Sequence, residues 1–217
     1  MKHLCHVVVL AVLFSAISLG QVKWSIGGQI SPTFTSAKKP LNEVYGFGFG
    51  FGAHVRADIS KQFAGKFSID YTMVNSDKEK FKSVIGGGTI QDPNTGEIFQ
   101  ITSVEGANIK LLSFTLSGLA RIPTSGVLTP YGILGLGLYS FSTSDLKFTV
   151  QGNQGRTGTG EQKIESETKF GMNFGAGVEF KAAKNIVVFA EPKYVIVFTS
   201  GESTSFIPIT LGASFGL

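Results

Sequence analysis

The feature that most restricts the fold of this chain is a strict two-residue alternation of apolar and small side chains. Residues 45–56 read Tyr-Gly-Phe-Gly-Phe-Gly-Phe-Gly-Ala-His-Val-Arg, so apolar residues occupy one set of alternate positions and glycine, histidine and arginine the other. Successive side chains of a β-strand point to opposite faces, and this pattern therefore predicts a strand with one apolar face and one small or polar face.

The same alternation recurs along the rest of the chain, and no segment after residue 21 has a convincing helical period. Within 63–74, for example, Phe67 and Ile69 alternate with Ser68 and Asp70. The eight predicted strands span residues 22–35, 45–56, 63–74, 108–122, 130–142, 168–181, 186–199 and 206–217.

Connections of two lengths join the predicted strands, as is typical of outer-membrane barrels with short turns at one end and long loops at the other. The short ones are Asp58–Gln62, Pro123–Thr129 and Ala182–Asn185, and the longer ones are 36–44, 75–107, 143–167 and 200–205. Within 75–107, the run Asp92–Gly96 predicts a tight turn that caps a projecting hairpin. The mixed charges of 77–82 predict a solvated loop, and the Gly-rich run 152–160 predicts a flexible loop tip.

Composition indicates where the apolar faces point. Only 16% of the residues are charged, whereas a soluble domain has about a quarter. The non-apolar faces consist mainly of Gly, Ser, Thr and Asn, which suit a crowded interior better than a water-exposed surface. An apolar exterior requires lipid, where every backbone polar group has to be paired, and barrel closure achieves this. We therefore predict an all-β fold for residues 21–217, an eight-stranded antiparallel up-and-down transmembrane β-barrel.

Residues 1–20 have the properties of a secretory signal peptide. Lys2 supplies the positive charge, and Ser18 and Gly20 place small residues before the predicted cut. The apolar stretch 7–19 is shorter than the roughly 20 residues that a spanning helix needs, which favours cleavage after Gly20 over a membrane anchor.

Cleavage of the signal peptide also removes reactive side chains from the chain. The single cysteine, Cys5, is lost with the signal peptide, which excludes disulfides and cysteine-based sites from the mature protein. Basic residues then exceed acidic ones by only three, which is too few to argue for nucleic acid as a partner.

The alternation places charged residues inside the predicted barrel. An eight-stranded barrel encloses little more space than its own side chains fill, and unpaired charges there would be costly. We therefore predict an internal network of ion pairs and hydrogen bonds that fills the lumen, formed by Arg56, Lys66, Asp70, Arg121, Glu179, Glu191 and Lys193.

Aromatic residues near strand ends are typical of the two girdles at the membrane surfaces. The predicted girdle residues are Trp24, Tyr45, Tyr71, Tyr131, Tyr139 and Tyr194. For Tyr139 an inward-facing position is an open alternative.

The chain resembles the small outer-membrane β-barrel family, the porin-family or OmpX- and OmpA-like group. The resemblance covers nearly all of 21–217 and includes the Pro130-Tyr131-Gly132 opening of the fifth predicted strand and the final run Ile207–Leu217. It implies an outer-membrane location in a Gram-negative-type bacterium, with membrane lipid as a partner.

The resemblance also implies an assembly signal in the last strand, read by the barrel-assembly machinery. In the family this strand usually ends in an aromatic residue, whereas this chain ends in Leu217 with Phe215 two positions earlier. We expect Phe215 and Leu217 to act as the signal. The chain stops at this strand, so the periplasmic domain of full OmpA-type proteins is not expected.

Catalytic and cofactor motifs are weak. His54 is the one histidine of 21–217 and has no evident sequence partner, so a structural inward-facing role is favoured over catalysis. Gly86–Gly88 lacks the spacing of a phosphate loop, and Asp92–Asn94 lacks the further ligands of a calcium loop. We expect neither enzymatic activity nor a cofactor or metal.

Three functional classes remain. The favoured one is a structural or surface-interaction barrel that contacts a ligand through loops 75–107 and 143–167. The alternatives are a narrow porin-like channel and a soluble ligand-binding barrel of lipocalin type.

Overall fold

The computed structural model describes residues 22–35, 44–84, 89–91, 96, 98–106, 108–153, 155–162, 166–199 and 203–217. The predicted signal peptide lies outside these residues. Eight long strands form the barrel wall: β1 (Lys23–Thr35), β2 (Phe47–Asp58), β3 (Phe63–Val74), β6 (Ile109–Arg121), β7 (Leu128–Thr143), β10 (Glu167–Ala183), β11 (Ile186–Phe198) and β12 (Ser203–Gly216). The predicted eight-stranded antiparallel barrel is confirmed.

The wall closes because the first strand pairs with the last. β1 is hydrogen-bonded to β2 on one side and to β12 on the other, with pairs such as Ile30↔Phe51 and Ile30↔Leu211. Every other wall strand pairs antiparallel with its neighbours in chain order. Closure leaves no free sheet edge in the wall, which an apolar environment requires.

The two ends of the barrel differ. At one end, the turn end, the strands are joined by the short connections 59–62, 122–127 and 184–185. At the other end, the loop end, three of the four connections are longer and two of these carry additional strands, whereas the fourth, 199–202, is short. The predicted asymmetry of connections is therefore present.

Side chains alternate between the lumen and the exterior as the sequence predicts. In β2, for example, Phe49 is 46% exposed, whereas the neighbouring Gly50 is buried. The outward apolar side chains form a continuous exposed surface around the wall that includes Ile26, Ile30, Phe47, Phe51, Phe67, Ile69, Leu112, Phe114, Leu116, Leu134, Leu136, Leu138, Phe170, Phe174, Ile207 and Leu211. An exposed apolar belt of this extent matches hydrocarbon and not water.

The long connections fold into a second sheet above the loop end, which we call the outer sheet. Its strands are β4 (Thr89–Gln91), β5 (Ile98–Glu105), β8 (Leu146–Gly152) and β9 (Thr157–Gln162), in the order β4-β5-β8-β9. The predicted hairpin of 75–107 is present as β4 and β5. Within the predicted loop tip 152–160, residues 157–160 belong to β9 and pair with β8, so the tip is shorter than predicted and lies in the turn between the two strands.

A short helix, α1 (Lys78–Val84), precedes the outer sheet. The sequence shows no convincing helical period here and predicts a solvated loop over 77–82, whereas the structure places a short helix over 78–84. The Asp77 side chain accepts a hydrogen bond from the Lys80 backbone N–H at 3.2 Å, which is the cap that starts the helix. The same hydrogen bond lowers the pKa of the Asp77 carboxyl. None of the described helices is long and apolar enough to cross a membrane.

Aromatic and imidazole rings that face the lumen pack against glycines of the neighbouring strand. Three direct cross-strand pairs have this form, Gly27↔His54, Gly177↔Tyr131 and Gly212↔Phe189. A Cβ added at any of these glycines would overlap the facing ring. The outer sheet repeats the arrangement, since the Phe148 ring covers Gly160. The glycines on the inner face therefore make room for large side chains inside a narrow barrel.

Candidate functional site: the filled lumen and the outer sheet

The turn end of the lumen holds a four-residue ionic cluster. Arg56 Nη1 contacts Glu179 Oε1 at 2.9 Å, and Arg56 Nε contacts Asp58 Oδ1 at 3.1 Å. Arg121 contacts the same two acids, Asp58 through Nη2 at 2.5 Å and Glu179 through Nε at 3.1 Å. Each guanidinium thus spans two carboxylates, so the four charges cancel within the cluster.

A second cluster lies deeper in the lumen and is centred on Glu191, which is 0% exposed. Its carboxylate accepts hydrogen bonds from Lys66 Nζ at 2.6 and 2.8 Å and from the Tyr131 hydroxyl at 2.8 Å. Lys193 Nζ lies 2.9 Å from the same carboxylate. The Lys66 ammonium also lies over the Phe189 ring, 5.0 Å from its centroid. One buried acid therefore joins two cations and a phenol.

Asp70 lies between the deeper cluster and the loop end. Its carboxylate accepts a hydrogen bond from the Gln29 side-chain amide at 2.5 Å. A Cβ on Gly52, opposite on β2, would overlap the Asp70 carboxylate, so the glycine provides the space that this acid occupies.

The seven residues predicted for the lumen are thus placed in three groups. Arg56, Arg121 and Glu179 share one cluster, Lys66, Glu191 and Lys193 share the next, and Asp70 pairs with a neutral partner. The sequence interpretation omitted Asp58, Gln29 and Tyr131. Asp58 lies at the end of β2, where the sequence predicts the start of a turn. Its position two residues after Arg56 places it on the same face of the strand, and this is the signal that identifies it as inward-facing.

His54 also faces the lumen and is buried. Its Nε2 lies 2.8 Å from the Ser214 hydroxyl oxygen, and its ring packs edge-on against Phe189 with centroids 5.3 Å apart. Among the described residues, Nδ1 has no hydrogen-bond partner. This histidine and serine pair therefore lacks the third group that would orient the imidazole as a base.

Two buried apolar clusters lie in the lumen beside the polar groups. Near that end, Leu111, Tyr139, Val195, Val197 and Phe206 form one buried cluster. Near the turn end, Ala64, Leu119, Tyr131 and Ile133 form another. The lumen is therefore not uniformly polar, a detail that the alternating pattern alone did not reveal.

Three cavities lie along the lumen. The first, at the turn end, has a volume of about 650 Å³ and is lined by both arginines of the ionic cluster. The second, at mid-height beside Asp70 and Lys193, has about 30 Å³, the volume of one water molecule. The third, at the loop end, has about 200 Å³. The clusters described above lie between these spaces, so the lumen is filled by side chains.

The predicted aromatic girdles are only partly correct. Trp24 is exposed at the turn end, and Tyr71 and Tyr194 lie on the outer surface, where they pack against Phe51 and Phe174. Tyr45, Tyr131 and Tyr139 are buried instead. Tyr131 and Tyr139 are inward by strand parity, which allows the Tyr131 hydroxyl to bind Glu191. For Tyr139 the inward alternative is the correct one.

The predicted assembly signal lies on the exterior of the last strand. The Phe215 side chain faces outward and is half exposed, and Leu217 is 84% exposed beyond the end of β12. The Leu217 backbone N–H donates to the Trp24 carbonyl at 2.9 Å, which holds the chain end against β1.

The outer sheet has two unlike faces. On one face Ile101, Val104 and Leu146 are buried, with Phe81 of α1 and Val150 packed against them. The opposite face is mainly polar and surrounds a shallow depression lined by Ser103, Glu105, Lys147, Phe148, Thr149, Thr159, Gly160 and Glu161. Within the described part of the chain, no cluster of three or more histidine, cysteine or acidic residues forms a metal site.

No curated protein sequence matches the chain. Among solved structures, the outer membrane protein OprG from Pseudomonas aeruginosa is 12% identical, with 90% of this chain and 95% of that chain covered at a TM-score of 0.53. A major outer membrane protein from Thermus thermophilus is 12% identical, with coverages of 90% and 99% at a TM-score of 0.52.

The attachment invasion locus protein Ail of Yersinia pestis is 18% identical, with coverages of 90% and 97% at a TM-score of 0.45. At 12% identity, OprG and the Thermus thermophilus protein support the barrel fold alone, and the family assignment comes from the sequence. Residues 7–215, almost the whole chain, match the outer membrane protein β-barrel domain. The closed wall, its apolar exterior and this match agree, and the chain belongs to the outer membrane protein β-barrel domain family, whose place is the outer membrane of Gram-negative-type bacteria.

Proposed function

We propose that this protein is a surface-interaction barrel that displays its outer sheet to the cell exterior. The observation that supports this proposal is that loops 75–107 and 143–167 form one folded unit and not separate loops. β5 and β8, which come from different loops, pair with each other from Phe99↔Gly152 to Glu105↔Lys147. In barrels of this kind the long connections face the exterior and the short turns face the periplasm.

The polar face of the outer sheet is the proposed contact surface. It offers threonine and serine hydroxyls together with Lys147 and Glu161, whose charged atoms lie 3.9 Å apart. Loops 75–107 and 143–167 contain nine acidic and six basic residues. A net negative loop region argues against polyanions as the ligand, including lipopolysaccharide phosphates, and favours a partner recognised through hydrogen bonds.

The edge strand β9 adds a second means of recognition. Within the described residues it pairs with β8 only, so the backbone groups on its other side are available to an extended polypeptide. Its sequence, Thr-Gly-Thr-Gly-Glu-Gln, carries no proline and no bulky side chain that would prevent such pairing. We therefore favour a protein as the surface partner.

The alternative roles have less support. A channel would need a continuous path, and the ionic clusters and apolar layers interrupt the lumen between its cavities. A lipocalin-type soluble barrel would carry its apolar residues inside, and this barrel carries them outside. We infer a non-enzymatic role because His54 and Ser214 are both buried and the imidazole lacks an orienting acid among the described residues.

We further propose that the barrel-assembly machinery recognises β12 through Phe215 and Leu217. Both side chains are exposed on the exterior of the last strand, where a membrane-embedded assembly factor has access to them. Their position on the strand that closes the barrel against β1 is consistent with recognition before closure.

Surface protease treatment of intact cells tests whether the outer sheet is displayed. Arg156 lies exposed in the turn between β8 and β9. External trypsin should cleave there while the wall strands stay intact, and the corresponding fragment should be absent for Arg156→Gln. Retention of the uncut chain on intact cells, with cleavage only after lysis, would contradict the proposed orientation.

Site-directed cross-linking tests whether the displayed sheet binds a partner. A photo-reactive phenylalanine analogue at Thr159 lies on the polar face, and the same analogue at Lys61 lies in a turn at the opposite end. Illumination of intact cells in their growth medium should yield a discrete protein adduct from position 159 that external protease removes. Equal adducts from both positions, or none from 159, would argue against a surface-interaction role.

A further inference from the structure

The loop end of the lumen contains an apolar cavity that the proposed surface interaction does not use. Its volume is about 200 Å³, and Val74, Ile109 and Phe141 form part of its wall. All eight wall strands, or the residues next to them, contribute to its lining. It is therefore the outer compartment of the lumen itself and not a groove between loops.

The floor of this cavity is closed. Leu111 and Phe206 line it and belong to the packed cluster that also contains Tyr139, Val195 and Val197. The Tyr139 and Phe206 rings meet edge to face with centroids 6.0 Å apart. A molecule that enters from the loop end would be retained above this layer and would not continue to the ionic clusters below.

Polar and apolar residues both line the cavity, and two of the polar ones are already hydrogen-bonded within the wall. The Thr33 hydroxyl donates to the Ser31 carbonyl at 3.0 Å, and the Thr35 hydroxyl donates to the Tyr45 carbonyl. A buried water needs two to four polar partners, and apolar cavities without them stay dry. Val74, Ile109, Leu111, Phe141 and Phe206 carry no polar side-chain atoms, so the part of the cavity that they enclose favours apolar contact.

The charge of the lining restricts the ligand further. Glu167 is the one acidic or basic residue among the lining residues, and its carboxylate lies 2.7 Å from Lys169 Nζ. A charged ligand would lose its hydration without gaining a buried counter-charge. A neutral ligand does not incur this cost.

We propose that this cavity is a binding site for small neutral apolar molecules, about the size of one substituted aromatic ring. A dry cavity of about 150 Å³ is known to hold benzene, and the slightly larger volume of this one leaves room for a short substituent. Access from the loop end places such a site at the external surface of the membrane protein.

Methyl-detected NMR of the whole protein in lipid nanodiscs tests this proposal, with toluene as the probe. The methyl groups of Val74, Ile109 and Leu111 face the cavity, whereas those of Leu112 face lipid. We expect saturable shifts at the cavity methyls and only a gradual, non-saturating change at Leu112, which reports toluene dissolved in the bilayer.

A pair of adjacent variants provides the control. Val74→Trp fills the cavity, whereas Met73→Trp places the same ring on the lipid face at the same height. Val74→Trp should weaken toluene binding about tenfold or more, since one methylene of lost room already has this effect in an apolar pocket. Met73→Trp should leave the affinity within about twofold, as expected for a change that does not touch the site.

A third variant keeps the test informative if Val74→Trp fails to fold. Leu111→Ala enlarges the cavity at its floor and should admit naphthalene, which the unaltered protein should bind more weakly than toluene. Linear shifts of equal size at Val74 and Leu112 would overturn the proposal. Equal toluene affinity in Val74→Trp and Met73→Trp would overturn it as well.

Discussion

At the scale of the residue, the position of a residue in its strand decides whether its side chain faces the lumen or the exterior. Which side chain it contacts depends on the residues across the lumen. Phe49 and Gly50 are adjacent, yet one faces lipid and the other faces the Thr72 side chain. Arg56 contacts not only the nearby Asp58 but also Glu179, which is 123 residues away along the chain. Parity therefore predicts which residues lie inside, and only the closed wall brings specific pairs together.

A charged residue on the outward face of β2 tests whether that face contacts lipid. Phe49→Arg replaces a half-exposed apolar side chain two residues from the loop-end start of β2. We expect it to lower the free energy of unfolding by about 1–2 kcal/mol, because the cost of arginine falls from about 2–4 kcal/mol at the bilayer midplane to about 0–1 kcal/mol near the membrane surfaces. Urea unfolding in lipid vesicles measures this, with Phe49→Leu as the apolar control. A Phe49→Arg protein as stable as Phe49→Leu would show that this face does not contact hydrocarbon.

The arrangement of the deeper ionic cluster predicts which of two substitutions lowers the free energy of unfolding more. Glu191→Gln leaves Lys66 and Lys193 buried together without an anion, and we expect a loss of about 3–5 kcal/mol. Lys193→Met removes one of two cations and leaves Glu191 paired with Lys66 and Tyr131, so its cost should be smaller. Unfolding of the two variants in the same vesicles gives the comparison. The reverse order would show that Glu191 is not the centre of the cluster.

At the scale of the element, inward glycines and rings act as matched pairs. Strands that curve tightly around a narrow lumen leave little space, and a glycine opposite a ring provides it. Phe189 illustrates this, since it lies on Gly212 while contacting His54 and the Lys66 ammonium. The outer sheet has the same pairing at Phe148 and Gly160, so in both sheets an aromatic ring packs against a glycine of the neighbouring strand.

Adding a methyl group to one of these glycines tests the pairing. Gly212→Ala would place a Cβ 2.5 Å from the Phe189 ring and 2.8 Å from the Gly28 carbonyl oxygen. We expect a loss of about 1–3 kcal/mol from overpacking. Gly65→Ala is the control, because an added Cβ there has no neighbour within 4 Å. Thermal or urea unfolding distinguishes them, and equal stabilities would mean that Phe189 moves aside without cost.

At the scale of the whole molecule, the barrel divides its lumen into compartments. A cavity of about 650 Å³ opens at the turn end and one of about 200 Å³ at the loop end, with ionic and apolar layers between them. Nothing in this arrangement gives ions a continuous water-filled path. The molecule as a whole is a closed cylinder that carries the outer sheet at one end.

Planar-bilayer recording tests the closed lumen. The protein refolded into bilayers should show no discrete conductance steps, because dehydrating an ion to cross the apolar layer at Leu111, Tyr139 and Phe206 is unfavourable. An open porin recorded under the same conditions serves as the positive control. Reproducible unitary steps from the folded protein would favour the channel alternative over the surface-interaction role.

The sequence by itself determined the eight wall strands, the alternation of faces and most of the inward charges, because the period of a β-strand is a local property of the backbone. It did not reveal that Tyr131 completes the site at Glu191, since that contact joins side chains 60 residues apart. Nor did it reveal the outer sheet, whose central strands come from two different loops. Pairing, packing layers and cavities depend on which strands closure brings together, and only the tertiary structure decided these.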